Sequence, residues 1–317
     1  MDGVLVIAKP AGPTSHDVVA LVRRLAATKR VGHGGTLDPF ASGVLPLFLG
    51  RATRLVEYHL GDRKGYRATV CFGASATTDD LEGELTPTDA PAPTRAGVEA
   101  ALMTFLGPIS QRPPAYSAIK VAGRRAYAMA RAGEHVELAS RDVTIHSLDL
   151  LGWDDSDPDR PIAVVDVECS AGTYIRALAR DLGEAVRGAA YLGALVRTAS
   201  GPFRIDDAVS LERAREAAGN GADALGALLL PVDAGLDDLP ELVVSDEQVQ
   251  AIARGQFVRP RSAELTDEST ALSAAARNGP IRIRDGTGRL VAIATLTDGR
   301  LAPDKVLIDS AATAPGA

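Results

Sequence analysis

Cysteine is almost missing from this chain, with two among 317 residues. Cys71 and Cys169 stand singly in the strand-like runs RATVCFG and IAVVDVECS, with no CxxC and no histidine at ligand spacing. That pattern speaks against a metal site and reads as reduced core thiols. Long apolar runs are missing too, since none approaches the roughly 18 residues of a membrane span. The start MDGVLVIAKPAG lacks a basic region followed by a long apolar stretch, so a cytoplasmic protein without a membrane is expected. An excess of positive charge is also lacking: the formal total is −7, which at first argues against a polyanionic partner.

The charge is nevertheless segregated. Lys and Arg exceed Asp and Glu by 5 over residues 1–70, by 3 over 111–145 and by 3 over 171–204. Acidity gathers at 71–110 (net −5), 146–170 (net −6) and 205–247 (net −9), while 248–317 is near neutral at +2. Phosphate contact is local on the scale of the Debye length, so the basic blocks can bind nucleic acid despite an acidic total. An ordinary mixed surface carries the same signature. With 46% hydrophobic and 24% charged residues, the chain belongs to the soluble globular class, long enough for one large domain and a smaller one.

GVLVIAKP predicts a buried strand, followed by Ser15 as N-cap of a helix over SHDVVALVRRLAAT. VLPLFLG and YRATVCFG predict strands, and LTPTDAPAPT a linker whose Thr94 caps a helix through AGVEAALMTFLG. RDVTIHSLDLLGW and PIAVVDVEC are further strands around the acidic loop DDSDPDR, and Thr173 is a candidate N-cap for the helix in SAGTYIRALARDLGEAV. Strands alternating with helices indicate an α/β or α+β sheet. From about residue 240 a short helix, a low-complexity stretch (SAELTDESTALSAAARNG) and the hairpin PIRIRDGTGRLVAIATL suggest an appended all-β module of some 70 residues, to which KVLI adds a strand.

Two stretches stand out chemically. GHGGTLDP (32–39) holds three glycines in four residues, a turn that permits positive backbone dihedrals and close approach, with Asp38 at its exit. An Asp before Pro is also a common turn residue that bonds its own backbone. Arg176, in the first turn of its helix, is opposed by the helix dipole unless a carboxylate or phosphate partners it. Residues 111–140 interleave Lys120, Arg124, Arg125 and Arg131 with Tyr116 and Tyr127, which suits a segment that follows a phosphate backbone, or a basic surface helix.

Seven stretches resemble, in order, the bacterial tRNA pseudouridine-55 synthases of the TruB type. They are KPAGPTSHDVV (9–19), VGHGGTLDPFASGVLPL (31–47), KGYRATV (64–70), FGASATTDDLEG (72–83), PPAYSAIKVAGRRAYAMARAG (113–133), CSAGTYIRALARDLG (169–183) and LVRTASGPF (195–203). The terminal module matches the family's PUA-type RNA-binding domain more loosely. The resemblance implies an α+β fold, a mixed and largely antiparallel sheet with flanking helices, over residues 1–235. It places an RNA-gripping insertion at about 111–140, a β-rich PUA-like domain at 240–310 and a tail at 311–317.

It further implies that Asp38 is the catalytic carboxylate, paired with Arg176 and kept ionised by it. Tyr66 is similar to the family tyrosine that stacks on the uracil and is a candidate for proton transfer at ring carbon 5. His33 is similar to the histidine that fills the gap left by a flipped base. Tyr174 and Leu195 line the pocket, Lys9 supports a turn, and Lys120, Arg124 and Arg125 grip RNA. Asp79 and Asp80 contact RNA, order a loop, or equally belong to a solvated turn. Gly34, where a larger small residue is commoner, and Val196, in place of one of two arginines, depart from the family pattern.

The resulting expectation is an isomerase without cofactor or metal that modifies one uridine in the TΨC loop, binding the T-arm of tRNA as a monomer. Two rivals stay open: a non-catalytic tRNA-binding or folding protein, and an aspartate-nucleophile nucleoside hydrolase.

Overall fold

The computed structural model describes residues 1–308 except 118, 122, 133, 135–137 and 261–278. The expected tail 311–317 and nearly all of the low-complexity stretch lie outside the described residues, and Lys120, Arg125 and Arg131 are described by their backbone alone.

The chain enters as β1 (Gly3–Lys9), turns into α1 (Ser15–Leu25) and returns as β2 (Val31–His33) and the buried β3 (Ser42–Leu49). A 3-10 helix, Gly50–His59, leads to β4 (Lys64–Phe72) and the small pair β5 (Ala74–Ala76) and β6 (Leu85–Pro87). After α2 (Arg95–Met103) and β7 (Gly107–Gln111), a hairpin of β8 (Lys120–Val121) and β9 (Arg124–Arg125) runs into α3 (Ala126–Arg131). The long β10 (Arg141–Asp154), β11 (Ile162–Cys169), α4 (Ile175–Ala185) and β12 (Ala190–Ser200) follow. Short β13 (Phe203–Arg204) and β14 (Val209–Ser210) precede α5 (Leu211–Gly219) and α6 (Ala222–Gly226).

These strands form one ten-stranded sheet in the order β14-β1-β3-β12-β4-β11-β10-β7, with β2 beside β3 and β13 beside β12. Its pairs are antiparallel except β1 with β14 and β3 with β12, so the mixed, largely antiparallel α+β fold is observed. Phe72 and Val165 of the sheet pack against Leu102 of α2 and Leu178 and Leu182 of α4, and Leu5 and Leu45 pack against Val19 of α1 and Leu211 of α5. Four further strands, β15 (Glu241–Val243), β16 (Pro280–Arg284), β17 (Leu290–Thr297) and β18 (Arg300–Val306), make a second sheet covered by α7 (Asp246–Ala253). The terminal module is therefore β-rich and not all-β, because Val249 and Ile252 of α7 complete its core.

The second sheet is docked, not tethered. Leu290, Ile293 and Leu307 share a cluster with Leu55 of the 3-10 helix and Leu236. Asp233 lies between Arg282 (3.7 Å) and Arg284 (2.5 Å), so part of the acidity of 205–247 serves this junction rather than a bare outer surface.

Local expectations fail where tertiary contacts outbid local ones. Thr14, not Ser15, caps α1, in a capping box with Asp17. At α4 the cap position is Tyr174, with no side-chain cap of its own. Gln111 on β7 takes that role: its Oε1 accepts from Tyr174 N at 2.8 Å and its Nε2 donates to Tyr174 O at 3.1 Å. The expected linker at 85–94 begins as β6, and α1 and α2 stop at Leu25 and Met103, shorter than their apolar periodicity suggested. Cys169 is buried, but Cys71 is only half-buried.

Candidate active site

The loop between β2 and β3 carries Asp38. Of its three glycines only Gly35 has a positive φ, 138°; Gly32 sits within β2, so the tight turn is narrower than the glycine count implied. Three buried polar side chains pin the loop. Ser15 Oγ accepts from Leu37 N at 2.9 Å and donates to Leu37 O at 3.0 Å. Lys9 Nζ donates to the carbonyls of Pro10, Pro13 and Pro39 at 2.9, 2.8 and 3.2 Å, supporting the turn as expected. Arg197 donates to Gly35 O, Thr36 O and Val44 O at 3.1, 3.3 and 2.7 Å. Arg197 also explains Gly43, which has φ 110° and where a Cβ would stand 2.2 Å from Arg197 O.

Ser15→Ala removes both bonds to Leu37 and is expected to lower stability by roughly 1–2 kcal/mol. Because the loop also carries the carboxylate, activity should fall more than the folded fraction does. Urea unfolding and single-turnover rates on the same variant check this.

Opposite the loop, α4 presents Arg176. Its Nε lies 3.0 Å from Asp38 Oδ2 and its Nη1 3.3 Å from Asp80 Oδ2, while Nη1 and Nη2 donate to Thr78 O and Tyr116 O at 3.1 and 3.0 Å. The dipole conflict is thus resolved by two carboxylates. Asp80 in turn accepts from Thr78 Oγ1 at 2.6 Å and Glu82 N at 3.0 Å, and Asp79, with φ 61°, meets Arg180 at 2.7 Å. Both aspartates order the loop and neither is a solvated turn residue. Arg176 is 7% exposed and Asp80 4%, but Asp38 keeps 37% of its side chain open to the cleft, the access a nucleophile needs.

The expected control of Asp38's charge needs correction. Burial is the larger influence and raises its pKa from the ordinary carboxylate value, Arg176 opposes that shift, and the charge of Asp80 adds to it. The arginine offsets desolvation; it does not by itself set the ionisation.

The cleft above Asp38 encloses about 860 Å³ and is lined by Tyr66, Lys64, Tyr174, Leu195, Arg197 and Tyr127 among others, a size in the usual range of small-molecule sites. Tyr66 on β4 faces Arg197 across the β4–β12 ladder. Burial raises its phenol pKa, and the hydrogen-bonded Arg197 opposes the rise. Leu195 is buried on the same strand as Arg197, and Arg141 stacks on Tyr174 at 5.1 Å. His33 stands beside the cleft, edge-on to His16 at 5.7 Å, with Nδ1 accepting from Gly35 N at 3.3 Å; burial lowers its pKa, with His16 and Arg197 adding to the effect.

The structure therefore brings together Asp38, Arg176, Tyr66, Tyr174 and Leu195 from four separate segments, with His33 alongside. Lys120, Arg124 and Arg125 stand apart, on the β8–β9 hairpin, where Lys120 pairs with Arg125. Arg124 forks onto Glu134 at 2.9 and 2.7 Å, so its charge is partly answered within the protein. Reading the sequence missed Arg197, Ser15 and Gln111 as parts of the site. An arginine inside the apolar alternation of LVRTAS was the available signal for the first; the others carried none.

Comparison with known proteins identifies the family. The TruB family pseudouridylate synthase (N terminal domain) matches residues 23–175, and the tRNA pseudouridylate synthase B C-terminal domain matches residues 176–237. A tRNA pseudouridine synthase B of Bradyrhizobium diazoefficiens is 43% identical over 96% of this chain and 85% of its own. That of Symbiobacterium thermophilum is 48% identical over 80% of this chain and 82% of its own. Among solved structures, a chain of a Cbf5-Nop10-Gar1 complex shares the fold with a TM-score of 0.71 at 24% identity, covering 99% of this chain and 87% of that one. Together the family matches and the close relatives show that this chain belongs to the TruB family of pseudouridylate synthases, isomerases that make pseudouridine.

Proposed function

We propose that the protein converts uridine 55, in the TΨC loop of tRNA, to pseudouridine, with Asp38 as the attacking carboxylate. The observation that carries the reading is Asp38 itself: a partly open carboxylate lining a half-open cleft, gripped by an otherwise buried arginine. A pure tRNA binder has no use for such a group. The relatives' names, tRNA pseudouridine synthase B, supply the substrate class.

A uridine in a folded loop must leave its stack, at a cost of a few kcal/mol, to reach a recessed carboxylate. In this reading Tyr66 stacks on the base and serves the proton transfer at carbon 5, Tyr174 and Leu195 bound the pocket, and His33, at the cleft's edge, fills the vacated gap. The isomerisation exchanges a bond from ribose C1′ to N1 for one to C5, needing neither redox change nor external group donor. Lys120, Arg124 and Arg125 grip the T-arm backbone. We divide the chain into a catalytic domain at 1–235 and a PUA-like RNA-binding domain at 240–310, working as a monomer in the cytoplasm.

The test is to incubate the pure protein with unmodified tRNA and map pseudouridine along it. Conversion at position 55 alone is expected. Free uracil as product would mark a nucleoside hydrolase, and unchanged tRNA a binding protein; either result overturns the reading.

A further inference from the structure

Three buried side-chain polar atoms among the described residues have no hydrogen-bond partner: His59 Nε2, Lys64 Nζ and Ser117 Oγ. An orphaned ammonium is the most costly of these, because a buried charge without a partner forfeits its hydration. Lys64 is 7% exposed and lines the same cleft as Asp38. It lies two residues before Tyr66 on β4, and alternate residues of a strand share a face. Carboxylates are not its neighbours of choice: Asp62 attracts it from the preceding loop, yet its Oδ2 lies 3.1 Å from His59 Nδ1. Cys169 stands opposite Lys64 on β11, and the charge of Arg197, which stands opposite Tyr66 on β12, repels it. The wall around Tyr66 therefore carries two cations, neither hydrogen-bonded to a carboxylate.

A chain keeps such a group where something outside it supplies the missing acceptor. We propose that Lys64 is a further catalytic residue of the isomerisation, its ammonium donating to a carbonyl oxygen of the uracil and holding the negative charge that the ring takes up during the reaction. The inference rests on the function proposed above.

Both routes open to Asp38 need that charge. Attack on C1′ forms a C1′–O bond and sends the electron pair of the broken C1′–N1 bond into the ring, onto N1, O2 and O4. Attack on C6 forms a C6–O bond and sends the C5–C6 π pair towards O4, after which the C1′–N1 bond breaks and leaves its electron pair on N1. In either case C5 then joins C1′, the carboxylate departs, the C5 hydrogen leaves as a proton and N1 gains one, so atoms and electrons balance. A fixed donor aimed at the developing oxyanion stabilises that state without reorganisation.

Burial lowers the Lys64 pKa to about 8. Of the groups around it, the Cys169 thiol is pushed up to about 11 by burial and the Tyr66 phenol is raised above 10, so neither titrates with it.

The experiment measures single-turnover pseudouridine formation in tRNA, tRNA affinity and Tm for the parent and for Lys64→Met. The expected variant binds tRNA within about twofold of the parent, reacts 10²–10³-fold more slowly, and has an unchanged or higher Tm, because Met removes an uncompensated buried charge. A residue kept for structure would lower Tm instead. The parent rate should fall as pH rises through about 8, and this limb should vanish in the variant. A parent-like variant rate overturns the proposal, as does weakened tRNA binding with an unchanged bound-state rate, which would assign Lys64 to a phosphate. If Lys64→Met fails to fold, the parent decides alone: a rate that stays flat through that pH overturns the proposal. A parent that makes no pseudouridine overturns the proposed function, and this inference with it.

Discussion

Replacing Asp38 by Asn is expected to reduce pseudouridine formation by roughly 10⁴-fold or more, with tRNA affinity and fold retained. The amide has almost the same shape, so the loop pinned by Ser15, Lys9 and Arg197 is undisturbed, but it is a very poor nucleophile. Arg176 keeps Asp80, Thr78 O and Tyr116 O as partners and does not become an isolated charge. Stability supplies a second readout. Burial raises the Asp38 pKa above its unfolded value of 3.8, so the protonated carboxyl is the better-tolerated form. Its contribution is fully present below that unfolded value and is lost as pH rises through the folded one. Asn has no such dependence, and the variant should gain stability relative to the parent as pH increases from about 4. Denaturant melts at several pH values measure the difference. Turnover near the parent rate would remove Asp38 from the mechanism.

The same loop shows what was legible in the sequence. GHGGTLDP marked Asp38, and GTYIR marked Arg176, because glycine turns and an arginine against a helix dipole are local conflicts visible in one dimension. The strands carrying Tyr66 and Leu195 were legible from alternation and apolar runs. What could not be read was the set of long-range partners. Ser15 reads as a cap because serine before an apolar helix usually is one; it serves Leu37, 22 residues away, only because Thr14 already caps the helix. Gln111 replaces a capping side chain from 63 residues away. Arg197 reads as one more strand residue until β12 lies beside β3 and β4, where it spans the Asp38 loop and Tyr66. The charge of Asp38 depended on depth, a property of the folded cleft, and so the arginine-only expectation missed the dominant cause.

Arg176→Lys should be nearly as damaging as loss of the Asp38 carboxylate, though it keeps the charge. The guanidinium reaches Asp38 through Nε and Asp80 through Nη1, and the carbonyls of Thr78 and Tyr116 through Nη1 and Nη2. One ammonium on a flexible stem cannot span acceptors disposed around a planar fork. Whichever acceptors it abandons lie in a buried setting, at a cost of about 1–3 kcal/mol for each left unsatisfied. Misplacing the carboxylate by about 1 Å is enough for a rate loss near 10²-fold, and weaker opposition to desolvation adds to it. Arg176 lowers a pKa that burial raises, so substitution should raise Asp38's pKa further and leave less of the ionised carboxylate at a given pH. The acid limb of the pH–rate profile therefore moves to higher pH, and part of the lost rate returns as pH increases. Single-turnover pseudouridine formation across about pH 5 to 9, in parent and variant, tests this. Coincident acid limbs, or parent-like rates throughout, would show that the Asp38–Arg176 contact is structural and leaves the nucleophile's ionisation untouched.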